Sequence, residues 1–241
     1  MEPVTSEPKS QYGMMMVSSP SNNYIPPGLE YLAQLDQVII KQIISACELL
    51  SGCEVKNRYI LVNSMGQEFL YATENSDFCS RQCCGNSRSF ELPFVDNNDV
   101  EVLRVSRPLK CNSCCTPCCN QEMEISANGQ LLGSMHQEWN FCMPMGTTYS
   151  VKNASGDGVF KIVAPCCPCS CGSDVVFEVI GSDGPMGSIR RTWRGLCTEC
   201  CTDADNFCIT FNSNLDVRYK ALMLGAAFLI DFIYFERDQQ H

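Results

Sequence analysis

"YKALMLGAAFLIDFIYFE", residues 219–236, is the stretch whose reading decides the fold. Between Tyr219 and Phe235 its only charges are Lys220 and Asp231. Two readings compete: a membrane span at the short edge of the workable length, or a helix apolar on every face because protein surrounds it. An ionised Asp231 in lipid would cost about 2.5–3.5 kcal/mol on insertion scales. A barrel built by the preceding chain would also need something to fill its interior. On the tail alone, a buried helix over 219–235 and a single span both stay open.

What precedes the tail reads as β. "RYILVNSMGQEFLYATE", "FVDNNDVEVLRV", "EMEISANGQLLGSMHQEW", "YSVKNASGDGVFKIVAP" and "VVFEVIGSDGPMGSIRRTW" each place an apolar strand, a turn rich in Asn, Asp, Ser and Gly, and a second strand in sequence. Such regular spacing favours a closed barrel or sandwich over alternating β and α units. The hairpins resemble one another loosely. Upstream, Leu29, Leu32, Leu35, Ile39, Ile43, Cys47 and Leu50 fit one helical face with Gly52 as its stop, while the β-branched "VIIKQII" at 38–44 also suits a strand; the expectation is helix, then strand. Residues 1–27, rich in Pro, Ser, Asn and Met, are expected to be a disordered lead, and 28–241 one domain.

The 17 Lys and Arg against 27 Asp and Glu give a net charge of −10, which repels nucleic-acid phosphates, so no nucleic-acid partner is expected. Nineteen cysteines in a chain with no basic and apolar leader at its start point to reduced thiols in the cytosol rather than a disulfide framework. They cluster: Cys111, Cys114, Cys115, Cys118 and Cys119; Cys79, Cys83 and Cys84; Cys166, Cys167, Cys169 and Cys171; Cys197, Cys200 and Cys201. Each cluster falls between strands, so several can meet at one end of a barrel. The first offers adjacent thiols for S-acylation, where stable anchoring takes at least two lipid signals; zinc ligation and idle thiols are the alternatives.

"DADNFCITFNSN" at 203–214 raises a cation question. Set against a twelve-position calcium loop, Asp203, Asp205, Phe207, Ile209, Phe211 and Asn214 fall at the ligand positions. Phe207, Ile209 and Phe211 have only backbone carbonyls to give, Asn214 lacks the bidentate carboxylate, and Cys208 stands where the turn wants glycine. "FCITF" also alternates like a strand. "IRRTWRG" at 189–195 reads as a strand edge guarded by charge, with an import signal or a lipid contact as alternatives. "RPLK" at 107–110 suits anionic headgroups. No catalytic constellation is present in the motifs, and His136 and His241 have no evident nucleophile partner.

"PPGLEYLAQLDQ" (26–37), "CSRQCCG" (79–85), "RPLKCNSCCTPCCNQEMEI" (107–125), "DADNF" (203–207) and "KALMLGAAFLIDFIYFE" (220–236), in this order, resemble the phospholipid scramblase family. The resemblance implies ATP-independent, headgroup-nonselective movement of phospholipids between leaflets of the plasma membrane when calcium rises. It places palmitoyl anchors on Cys114, Cys115, Cys118 and Cys119 at the cytosolic face, and calcium, as cofactor, on Asp203 through Asn214. It also implies a Tubby-like fold: a mainly β, closed antiparallel barrel of about twelve strands around a hydrophobic C-terminal helix. The short lead lacks P-x-x-P, so partners reading that motif are not expected, and protein partners would use the barrel surface. The alternative function is an acylated adaptor or lipid-binding protein that scrambles nothing itself.

Overall fold

The computed structural model describes residues 25–43, 56–110, 119–139, 147–166, 174–192, 206–212 and 214–235. Twelve antiparallel strands close into one barrel. They are β1 (Gln37–Ile43), β2 (Arg58–Val62), β3 (Glu68–Thr73), β4 (Phe90–Val95), β5 (Glu101–Arg107), β6 (Glu122–Ala127), β7 (Gln130–Gln137), β8 (Thr148–Asn153), β9 (Gly158–Val163), β10 (Val175–Gly181), β11 (Gly184–Thr192) and β12 (Asn206–Phe211). Each pairs with its sequence neighbour, and β1 closes the ring on β12. Among the described residues three α-helices accompany them: α1 (Glu30–Ala33), α2 (Phe78–Cys84) and α3 (Val217–Tyr234).

The five hairpins read from the sequence are all present, and their turns explain why. In three of them one Asn or Asp side chain accepts two backbone N–H groups: Asn63 from Met65 and Gln67, Asp96 from Asn98 and Val100, Asn153 from Ser155 and Asp157. This local bonding is what favours Asn and Asp in turns. Between β6 and β7 the chain turns on Asn128 (φ 50°) and Gly129 (φ 75°), the left-handed pair that a two-residue hairpin needs.

Strand alternation puts apolar residues inside and polar ones outside. Met123 and Ile125 of β6 are buried, while Glu122 and Glu124 face out. A barrel made to face lipid has the reverse arrangement, apolar outside and polar within. The inside is filled by α3, whose residues from Lys220 through Phe232 are all buried. Its 18 residues give a rod about 27 Å long. Phe228 meets Tyr59 and Phe94 edge-on, with ring centres 4.9 and 5.1 Å away, and Phe232 stacks on Phe90 at 4.0 Å. Gly225 lets the helix approach the wall: a Cβ there would lie 2.5 Å from Ile125 Cγ1.

The two charges of the tail are both satisfied inside protein. Lys220 donates to the carbonyls of Leu32, Ala33 and Leu35, at 3.4, 2.9 and 2.6 Å, and so caps the end of α1. Burial pushes its ammonium below the usual range, an effect that Asp36 partly offsets. Asp231 accepts from the Tyr59 hydroxyl at 3.2 Å. No helix among the described residues is long and apolar enough to cross a membrane, so the reading of 219–235 as a span gives way to the barrel-filling helix.

Two smaller expectations are corrected. Ile189, Arg190 and Arg191 are no edge, because there β11 pairs with β10 on one side and β12 on the other. Arg107 of "RPLK" turns into the barrel instead of toward headgroups, donating to Gln121 Oε1 and lying 5.9 Å from the Phe90 ring centre.

Candidate functional site

An up-and-down barrel with twelve strands has two poles, and its connections alternate between them. The connections β1–β2, β3–β4, β5–β6, β7–β8, β9–β10 and β11–β12 open at one pole. Every cysteine of the chain except Cys208 falls in sequence within one of these six connections. The opposite pole carries the five tight hairpin turns and the β12–α3 connection, with no cysteine in any of them. The described members of these clusters, Cys79, Cys83, Cys84, Cys119 and Cys166, thus stand at one end of the molecule.

Of the expected acylation residues, Cys114, Cys115 and Cys118 lie outside the described residues. Cys119 is described, half-buried, with its carbonyl accepting from Gln121 Nε2 at 3.2 Å. Lys110, just before the segment carrying these cysteines, is held to Glu122 of β6 at 3.1 Å. On α2, Cys79 and Cys83 sit one helical turn apart and both are exposed. Among the described residues, no three of His, Cys, Asp and Glu converge to hold a metal ion.

Four ligand positions of the twelve-position calcium loop are described, and these four do not converge. Phe207, Ile209 and Phe211 lie on β12, paired with β1 and β11, and all three side chains are buried. A six-residue strand is about 17–20 Å long, whereas oxygens sharing one calcium at about 2.3–2.6 Å lie within about 5 Å of each other. Asn214 lies beyond the far end of β12, at the turn pole, while Asn206 begins the strand at the cysteine pole. The physical reason is the strand alternation already visible in "FCITF". Asp203 and Asp205 lie outside the described residues; in sequence they belong to the β11–β12 connection.

Beneath the cysteine pole the barrel is closed by arginines on aromatic rings. Arg88 lies 4.9 Å from the Phe232 ring centre and Arg191 4.0 Å from that of Phe235. Arg88 also makes a fully buried, two-pronged pair with Glu74, at 2.7 and 2.9 Å. These cations face the C-terminal end of α3, where the helix dipole is negative. Sequence reasoning gave Glu74 and Arg88 no role, because a buried ion pair 14 positions apart leaves no local pattern.

At the same pole a groove of about 870 Å³ runs over the ends of β4 to β7, with Asp77, Glu91, Glu122, Glu124 and His136 among its lining. His136 does have a hydroxyl neighbour: its Nε2 is 2.9 Å from Ser134 Oγ. Its Nδ1 is 3.8 Å from Glu122 Oε2, beyond hydrogen-bond reach, so the three do not form a catalytic relay.

Residues 14–237 match the Scramblase family. Curated relatives include phospholipid scramblase 1 of Mus musculus, 48% identical over 215 residues, which cover 88% of this chain and 65% of that protein. Phospholipid scramblase 2 of Bos taurus is 45% identical over 240 residues, covering 98% of this chain and 80% of the relative. Phospholipid scramblase family member 5 of Homo sapiens is 41% identical over 241 residues, covering 97% and 88%. The chain spans just under two thirds of the mouse protein's length.

Proposed function

Because the chain belongs to the scramblase family, we propose that it moves phospholipids between the two leaflets of a bilayer. The observation that carries this reading is a family match, residues 14–237, that takes in every strand of the barrel and the helix inside it. The finer reading is movement without headgroup selection and without ATP, triggered by calcium, at the cytosolic face of the plasma membrane. Palmitoyl chains on Cys114, Cys115, Cys118 and Cys119 anchor the body, since two or more acyl chains suffice for stable attachment. Asp203 and Asp205, which share the cysteine pole with those thiols in sequence order, are the carboxylates of the expected calcium set; Asn214 is not part of it.

The geometry limits the mechanism. α3 occupies the barrel interior, which leaves no route for a lipid through the barrel. Any lipid movement then takes place outside the wall, where an anchored body disturbs the leaflet it touches. The filled interior and the polar outer wall also favour a second reading, an acylated adaptor that binds lipids or proteins through the barrel surface. The test is transbilayer movement of a labelled phospholipid in liposomes carrying the purified protein, with calcium titrated. Movement that rises with calcium and is lost in Asp203→Ala supports the first reading. Folded, membrane-bound protein that moves no lipid at any calcium level supports the adaptor.

A further inference from the structure

The cysteine pole carries a second feature, separate from its thiols. Ile43, the last residue of β1, and Phe78, Leu109 and Trp139 of the β3–β4, β5–β6 and β7–β8 connections all stand at that pole and are 45, 57, 59 and 48% exposed. Two are aromatic, the residue type that settles at a membrane interface with an apolar body and a wet edge. We propose that these four side chains form an insertion rim that seats the barrel, cysteine pole down, on an anionic lipid surface before and independently of acylation. The inference rests on the membrane reading above, and it adds the residues that touch lipid and the orientation of the body.

Exposure alone would not choose the pole, since Met65, Val100 and Leu131 are exposed at the opposite one. Charge chooses. The turn pole carries Asp96, Asp99, Asp157 and Asp183, none of them in an ion pair among the described residues. At the cysteine pole Glu122 pairs with Lys110, Glu138 with Lys161 at 2.9 Å, and Asp174 approaches Arg190 at 4.0 Å, while exposed Asp77 and Glu124, in no ion pair among the described residues, are matched by exposed Lys56 and Arg58. An anionic leaflet repels the first pole and tolerates the second. Exposed Cys79, Cys83 and Cys166 at the rim then lie where a membrane-bound acyl donor would reach them. The pole also brings the groove of about 870 Å³ to the headgroup level.

The test is the partition of full-length, hydroxylamine-treated protein onto vesicles of phosphatidylcholine and phosphatidylserine, measured by flotation. This reads attachment alone, so it stands or falls apart from any assay of lipid movement. The triple variant Phe78→Ser, Leu109→Ser, Trp139→Ser is expected to partition about tenfold more weakly. The pair Met65→Ser, Leu131→Ser at the opposite pole is expected to match the unaltered chain. A second measurement needs no triple variant: the Trp139 emission, taken as the difference from Trp139→Phe, is expected to be quenched by acyl-brominated lipid. No partition of the de-acylated chain, equal losses from the two poles, or an unquenched Trp139 would overturn the proposal.

Discussion

The Tyr59 hydroxyl on β2 donates to the Asp231 carboxylate on α3 at 3.2 Å, joining wall and filling helix across 172 positions of sequence. Both groups are buried, so the one acidic residue of the apolar tail is spent on an internal bond. That relationship explains how a stretch with the composition of a membrane span works as the core of a barrel.

If α3 packs against the wall, a larger residue at its closest approach must be disruptive. Gly225→Leu drives new atoms into Ile125 and is expected to destabilise the fold by about 1–3 kcal/mol or more. Thermal or urea unfolding of the purified variant measures it. A lipid-facing helix would gain from the same change, so an unaltered or raised stability contradicts the packing.

Lys220 ties the start of α3 to the end of α1. Lys220→Met keeps the length of the side chain and removes the donor, leaving the carbonyls of Leu32, Ala33 and Leu35 without it. The expected loss is about 1–3 kcal/mol, and hydrogen exchange should quicken first in residues 29–36.

The buried Glu74–Arg88 pair sets an acid limit. Burial raises the Glu74 carboxyl, but the hydrogen bonds and charge of Arg88 outweigh it, and the group ends below its usual value of 4.5. A lowered carboxylate stabilises the fold above the unfolded value and loses that contribution as the pH falls through the folded one. Glu74→Gln is therefore expected to cost about 3–5 kcal/mol near neutrality. The gap to the unaltered protein should close below about pH 4.5, as followed by unfolding curves across the acid range.

Calcium response gives a contrast between the two ends of β12. Asn214 lies beyond the turn-pole end, so Asn214→Asp is expected to leave calcium affinity within about twofold of the unaltered protein. Asp203→Ala is expected to weaken it by about tenfold or more, read by calorimetric titration. A clear gain from Asn214→Asp would restore the twelve-position loop.

Much of this architecture was legible in the chain. The five hairpins announced themselves through Asn, Asp and Gly turns, because turn chemistry is local and the residues that supply it are few. β1 and the α1 turn were legible from "VIIKQII" and the leucines before it. A twelve-residue calcium template ignores what lies between its marks; the alternation of Phe207, Ile209 and Phe211 is a strand signal, and pairing on both sides secured it. "IRRTW" misled: a strand with charges looks like an edge until the closure between β1 and β12 removes every edge. The Glu74–Arg88 pair and the arginines on Phe232 and Phe235 were illegible, since they depend on which residues a closed barrel turns inward at the same level. The gathering of the cysteines at one pole needed only the strand order, and that order follows once each hairpin is placed next to its neighbour.

The central claim is that the apolar tail fills the barrel and the body sits on one face of the membrane. The most direct measurement is sidedness: peptide tags fused before Met1 and after His241, probed with antibody in sealed plasma-membrane vesicles of known orientation. Both tags are predicted to report the same, cytosolic face, and both to remain membrane-bound until hydroxylamine and the rim substitutions are combined. Tags on opposite faces would make residues 219–235 a membrane span and contradict the account.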